Sequence, residues 1–261
     1  MRTLVVNADD FGFTRDVNRG IIEAHRKGIL TATTIMADGA AFDDAVRLAK
    51  ENPTLDIGVH LVLVGQAPFP MTVAGLARAV YFGGIPIYEA LSAQVRKVVG
   101  AGLSPTHLDT HKHTHLLPPI LEAVARISQE FAIPWVRRPF DLPLTPRHIS
   151  WKTRVVSRGL SLGRGPFKRV LAEHGCLSTD HFAGFKITGN FDAADVAQMI
   201  RSLPEGSTEF MCHPGVCTAE LQAARTRLKE SREAELLALT APEVRDALNE
   251  SGVQLAAYRD L

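Results

Sequence analysis

Between Pro105 and His115 the chain reads Pro-Thr-His-Leu-Asp-Thr-His-Lys-His-Thr-His, which puts four of its 10 histidines and an aspartate within nine residues. Side chains alternate along a strand, so His107, Asp109, His111, His113 and His115 would share one face. Imidazole nitrogens and a carboxylate suit a borderline divalent metal. At roughly 3.3 Å per residue the outer pair would lie about 26 Å apart in an extended chain, so one ion cannot use them all. Other candidates stand apart in sequence: Asp9 and Asp10 after the apolar run Leu4–Ala8, His60 after Ile57-Gly-Val, and His213 in Phe210-Met-Cys-His-Pro-Gly. An Asp-His-His set with an open position is a catalytic arrangement, because structural zinc sites usually fill all four positions with protein ligands. Adjacent aspartates can divide labour when their strand turns, one binding metal and one accepting a proton.

Each candidate also has a plainer reading. Asp9-Asp10 could be turn or capping residues, His60 a satisfied core histidine between Val59 and Leu61, and the cluster a polar loop. Cys212, His213 and Cys217 could suggest a small zinc site, but their spacing fits no knuckle well. Four positions at four predicted strand ends are harder to explain as accident.

The elements that would position these residues alternate. Strands are expected at Leu4–Ala8, Thr31–Ala37, Leu55–Leu63, the histidine run, Trp135–Pro139, His181–Ile187, Thr208–Cys212 and Val253–Tyr258. Helices are expected at Thr14–Lys27, Phe42–Lys50, Ile87–Val99, Leu117–Phe131 and Asp192–Ser202, with a capping box at Thr240–Glu243 opening another to Asn249. Pro68–Gly84 is rich in Gly and Pro and reads as a long loop or lid. Alternation over this length predicts an α/β fold, a single (β/α) barrel of seven or eight parallel strands spanning 1–261. Sites in such folds lie at the C-terminal strand ends, where Asp9, Asp10, His60, His111 and His213 would share a rim. His107 and Asp109 would then point into the barrel, with His111 reaching the mouth and His113 and His115 in the following loop.

At 261 residues and 46% hydrophobic content the chain can bury a large core, and its net charge of +1 gives no field that argues for nucleic acid. Three cysteines, no signal-like N-terminus and no apolar run of about 18 residues point to a cytoplasmic protein. Residues 145–175 break the pattern with seven basic residues and one acid, Glu173, among apolar ones. That stretch reads as a basic helical insertion, either solvated, a subunit contact in a homodimer, or a surface meeting an anionic membrane or lipid-linked substrate.

The segments Val-Val-Asn-Ala-Asp9-Asp10-Phe-Gly, Ile-Gly-Val-His60-Leu, the histidine run and Cys-His213-Pro-Gly resemble, in order and over nearly the whole chain, the YdjC-like (ChbG/HpnK) carbohydrate deacetylase family. The resemblance implies a barrel of the glycoside hydrolase/deacetylase kind and metal-dependent N-deacetylation of an acetylated amino sugar. It implies Asp10, His60 and His111 as ligands of one divalent ion (Mg or Zn), Asp9 as general base and His213 as general acid. His111-Lys112-His113 replaces a His-His-His signature of the chitooligosaccharide branch. It resembles the hopanoid-biosynthesis branch instead, as does Thr179–Phe185, which implies an N-acetylglucosaminyl hopanoid as substrate. His113 and His115 are expected on the cleft wall, and Arg137 or Arg138 is expected to orient the sugar or Asp9. Rival readings are an amidohydrolase-like or phosphoesterase barrel with two metals, a glycosidase with two separated carboxylates, and a non-catalytic sugar- or metal-binding barrel.

Overall fold

The computed structural model describes residues 1–142 and 163–261. Its centre is β1 (Arg2–Phe11), buried over its last eight residues. Continuous burial of this kind is expected of a parallel strand covered on both faces. Around it β2 (Ala32–Ile35), β3 (Asp56–Leu61), β4 (His107–Thr110) and β5 (Trp135–Val136) follow on one side. On the other lie β7 (Gly206–Cys212) and β6 (His181–Ala183), giving the order β5-β4-β3-β2-β1-β7-β6. The short β8 (Gln254–Leu255) pairs with Thr3 and Leu4 of β1. All the ladders are parallel. Among the described residues single bridges, Trp135 of β5 to Leu177 and Asp141 to Phe182 of β6, extend pairing across the gap between β5 and β6, so the sheet wraps into an incompletely hydrogen-bonded barrel.

Helices return the chain between strands. α1 (Arg15–Lys27) is capped by Thr14, whose Oγ1 accepts from the Val17 amide, and ends at Gly28. α2 (Phe42–Glu51), α4 (Ile87–Gly100) and α5 (Pro118–Glu130) follow their expected positions, α5 opening on two prolines. The 68–84 stretch is not all loop: Thr72 caps α3 (Val73–Tyr81), a helix its glycines obscure in the sequence. The basic stretch at 145–175 lies outside the described residues up to 162. Its remainder forms α6 (Arg164–Glu173), which buries Phe167 and Leu171.

α7 (Ala193–Arg201) has a full capping box from Asp192 and Asp195. α8 (Ala219–Ala223), α9 (Glu230–Thr240) and α10 (Pro242–Ser251) complete the wall. The capping box expected at Thr240–Glu243 is absent. Thr240 instead bonds back to the Leu236 carbonyl, and Pro242 opens α10 after an uncapped Ala241. Two further expected strands are shorter than their apolar runs. His181–Ile187 becomes β6 plus a 3₁₀ turn at Phe185–Ile187, and Val253–Tyr258 gives only β8 before the turn at Tyr258–Asp260.

Candidate metal and catalytic site

The two aspartates end β1 in an irregularity. Its pairing with β2 slips between Ala8 and Phe11, and Asp10 has φ 70°. A left-handed residue is tolerated best by Gly, Asn and Asp. The slip turns neighbours that would face opposite ways toward one cavity. The turn is held by Asn18, whose Oδ1 accepts from the Gly12 amide at 2.6 Å. His60 lies opposite Asp109 in the β3–β4 ladder, and the two bond at 2.7 Å between His60 Nδ1 and Asp109 Oδ1. That bond leaves His60 Nε2 pointing at the cavity. His111 follows β4 at the start of a tight 3₁₀ turn in which Lys112 and His113 both have positive φ.

Asp10 Oδ1 lies 3.4 Å from both His60 Nε2 and His111 Nδ1, and these two nitrogens are 3.2 Å apart. Ligand atoms that each sit about 2.1 Å from one ion are separated by about 3.0–3.4 Å, so the trio fits a single divalent metal. Charge argues the same way. Asp9, Asp10, Asp109, Glu209 and Glu235 are buried around the site, against the buried cations Arg137 and Arg232. Each partner behind the ligands fixes one atom: Arg232 donates to Asp10 Oδ2 at 2.5 Å, leaving Oδ1 free.

Asp9 is held more tightly still. Arg137 donates to Oδ2 at 2.8 Å and to Oδ1 at 2.7 Å, and Asn7 donates to Oδ1 at 3.1 Å. Arg137, only 2% exposed, also pairs with Asp109 at 2.6 Å and Glu209 at 2.6 Å. Burial alone would raise the Asp9 pKa, but the guanidinium prevails and holds it well below the usual carboxylate range. Burial likewise opposes ionisation of Asp10, and Arg232 overrides it. His60 is disfavoured as a cation by burial, yet Asp109, Asp9 and Asp10 lift its pKa to about 9.

His213 follows β7. Its loop is brought close to α1 at Gly20, where an added Cβ would lie 2.3 Å from Gly215 Cα. Glu235 on α9 accepts from the His213 amide and, through its other oxygen, from the Gly189 amide at 2.7 Å. His213 Nε2 faces Asp9 Oδ2 at 3.8 Å. Burial pushes the His213 pKa down to about 4 and the Glu235 pKa up to about 7.

One cavity of about 560 Å³ unites Asp9, Asp10, His60, His111 and His213, with His113 also on its wall. Burial keeps His113 uncharged there, with its ring against Phe182 and Phe185. His115 and Arg138 are not on that wall. His115, expected at the cleft, is fully buried between Thr110 and the Arg137 carbonyl, because the 3₁₀ turn folds it back under β4. Arg138 turns away and donates to the Asp180 carbonyl. Arg137 reaches Asp9, one of its two expected targets, and is too buried for the sugar. The sequence reading missed Arg232, Glu235 and Glu209. They lie on a late helix and in mid-strand with no motif around them, and only the placement of Glu209 directly before the apolar Phe210-Met-Cys signals a buried charge.

The family model described as YdjC-like protein matches residues 3–250. The chain belongs to the YdjC-like family. Relatives named carbohydrate deacetylase include one from Brevibacillus brevis, 32% identical over 270 residues and covering 99% of each chain. Another, from Clostridium beijerinckii, is 30% identical over 275 residues with 99% of each chain covered. Among solved structures, an Enterococcus faecalis protein whose name refers to cellobiose-phosphate cleavage is 26% identical. It covers 99% of this chain and 98% of its own, at a TM-score of 0.77. The Thermus thermophilus lactam utilization protein shares the fold at a TM-score of 0.54 and 16% identity, covering 98% of this chain and 99% of its own. Among the described residues, no helix is long and apolar enough to cross a membrane.

Proposed function

We propose that this YdjC-like protein is a metal-dependent carbohydrate deacetylase that removes the acetyl group from an acetylated amino sugar. The observation that carries this reading is the meeting of Asp10, His60 and His111 with Asp9 and His213 in one cavity. The names of the relatives support the same activity. Asp10, His60 and His111 would hold one divalent ion, zinc or magnesium. Such an ion, when bound, polarises the acetamide carbonyl and makes water a better nucleophile.

The chain's own residues account for the protons. Asp9 Oδ1 takes two donors, Asn7 and Arg137, whereas Oδ2 takes one from Arg137 and keeps a lone pair on the His213 side, so Oδ2 accepts the proton as water attacks the acetyl carbon. Asp9, kept acidic by Arg137, holds that proton weakly. His213, neutral in its buried setting, is the next base, with Nε2 3.8 Å away. It passes the proton to the amine as the C–N bond breaks. One water is consumed, and acetate and a free amino sugar leave. Glu235 fixes the His213 backbone for this transfer.

We extend the reading to a glycolipid substrate such as an N-acetylglucosaminyl hopanoid. Met71, Val73, Tyr81 and Phe82 are exposed on and beside α3, Phe82 by 84%. The chain reaches them directly from cavity-lining Val64 and Gln66, and an apolar surface there suits a lipid aglycone. The test is acetate release from chitobiose, N-acetylglucosamine and an acetylated glycolipid, with and without chelator. Chelator-sensitive release from at least one substrate supports the reading. Binding without acetate release would refute it, and two ions per chain would favour the amidohydrolase-like alternative.

A further inference from the structure

Beneath Asp9 a line of hydrogen bonds runs down the barrel interior. Asn7 Nδ2 donates to Asp9 Oδ1 at 3.1 Å, and Asn7 Oδ1 faces His107 Nε2 at 2.9 Å. His107 Nδ1 faces Thr106 Oγ1 at 2.8 Å, and Thr106 Oγ1 lies 3.0 Å from Asp56 Oδ1. The polarity is set from the top. An ionised Asp9 only accepts, so Asn7 must present its amide N–H₂ upward and its carbonyl oxygen downward. His107 must then carry its proton on Nε2, and Nδ1 accepts the single Thr106 hydroxyl proton, which is then not shared with Asp56, a carboxylate that also accepts from the Arg259 amide.

The ring that meets this demand cannot swing. It stacks on Tyr258 with centroids 4.0 Å apart and planes 22° from parallel. On another side is Gly58, where an added Cβ would lie 2.5 Å from the ring. Burial and the nearby Arg137 guanidinium keep the imidazole neutral, so the single Nε2 proton is available to Asn7. His107 is 2% exposed and lies off the cavity wall, so it touches no substrate.

We propose that His107 is a positioning residue for the catalytic base, acting through Asn7. By fixing the Asn7 amide it holds a second donor on Asp9 Oδ1, so that Oδ2, with Arg137 as its one donor, keeps the lone pair that takes the proton from water. This inference rests on the reading of Asp9 as base, and the two can fail separately.

The test compares His107→Leu, which removes the donor, with His107→Gln, which can restore an N–H toward Asn7, in the metal-loaded enzyme. Loss of a buried hydrogen bond that orients a charged group predicts a drop in kcat of about 10- to 100-fold in His107→Leu. KM should stay within about twofold and metal content should be unchanged, while His107→Gln recovers most of kcat. Asn7→Leu, which cuts the line one bond higher and serves if His107→Leu does not fold, should show the same kcat-only loss. The double variant should be little worse than either single one. Unchanged kcat in His107→Leu or Asn7→Leu overturns the inference, as does equal loss in His107→Leu and His107→Gln. Full turnover in Asp9→Asn would remove the base reading itself. Lost turnover there with none lost in His107→Leu overturns only the positioning role.

Discussion

Arg137 offers the sharpest test of how the site is held, because one guanidinium faces three buried carboxylates, Asp9, Asp109 and Glu209, at 2.6–2.8 Å. Arg137→Met keeps much of the apolar stem and removes the charge. Breaking a buried ion pair by deleting one partner costs about 3–5 kcal/mol, a large share of the roughly 5–15 kcal/mol that holds a domain folded. The loss should depend on pH. The Asp9 pKa is depressed in the folded protein, so its stabilising contribution is present above the unfolded value of 3.8 and is lost as pH falls through the folded one. In the variant that contribution is gone, and protonation relieves the stranded carboxylates. The gap from wild type should therefore be widest near neutral pH and close as pH falls toward about 4. Urea unfolding midpoints across this range measure it, provided the slope is unchanged. Arg137→Lys should be intermediate in stability, since a compact ammonium cannot fork to three carboxylates. Burial holds the Glu209 pKa at about 7 even beside Arg137, so Glu209 becomes neutral rather than stranded in Arg137→Met, and adding Glu209→Gln should change stability little at neutral pH and help only at higher pH. A loss below about 1 kcal/mol, or a gap that does not vary with pH, would refute the idea that Arg137 is the charge anchor of the barrel.

Other consequences concern the ion and the acid. Asp9→Asn should abolish acetate release while leaving about one ion per chain by elemental analysis, whereas Asp10→Ala and His111→Ala should lose the ion. His60 carries a proton up to a pKa of about 9 in the metal-free protein. Ion affinity should therefore rise with pH by about tenfold per unit below that value, and calorimetry in buffers of different ionisation heat should detect the released proton. Glu235 is disfavoured as an anion by burial, with a pKa of about 7 against 4.5 for the free group. Wild-type stability should fall as pH rises through that interval, Glu235→Gln should flatten the slope in denaturant melts, and kcat should drop as the His213 or Gly189 amide loses its acceptor.

The barrel was legible because its signals are local and repeated: short apolar runs separated by helical periods, with chemistry-bearing residues just after the runs. The same logic brought Asp9, Asp10, His60, His111 and His213 to one rim. It failed for His115, since alternation in a strand says nothing about a 3₁₀ turn that begins at His111 and carries two left-handed residues. It failed for α3, whose Gly and Pro neighbours look like loop, and for the ends of β6 and β8, where apolar residues leave the sheet. Arg232 and Glu235 were invisible for another reason. Their work depends on α9 reaching Asp10 at the end of β1 and the loop after β7, a separation of more than 200 residues in sequence for the Arg232–Asp10 bond.

The two adjacent aspartates show why such distant partners are needed. Each is held by an arginine and keeps one oxygen toward the cavity: Asp10 gives Oδ2 to Arg232 and turns Oδ1 toward His60 and His111, while Asp9 is gripped at both oxygens by Arg137, with Asn7 also on Oδ1 and Oδ2 facing His213. In a regular strand successive side chains leave on opposite faces, so one carboxylate would point out of the barrel. The slipped register and the left-handed Asp10 bring both inward. That places two negative charges side by side in a buried setting, which like-charge repulsion and desolvation oppose. A separate arginine for each keeps both ionised and makes them different: Arg232 takes one oxygen of Asp10 and leaves Oδ1 for a metal, while Arg137 grips both oxygens of Asp9 and Asn7 adds a second donor to Oδ1, so Oδ2 keeps the open lone pair for a proton. One arginine shared between them would neither balance two carboxylates nor tell them apart, and the division of labour between ligand and base therefore depends on α9 as much as on β1.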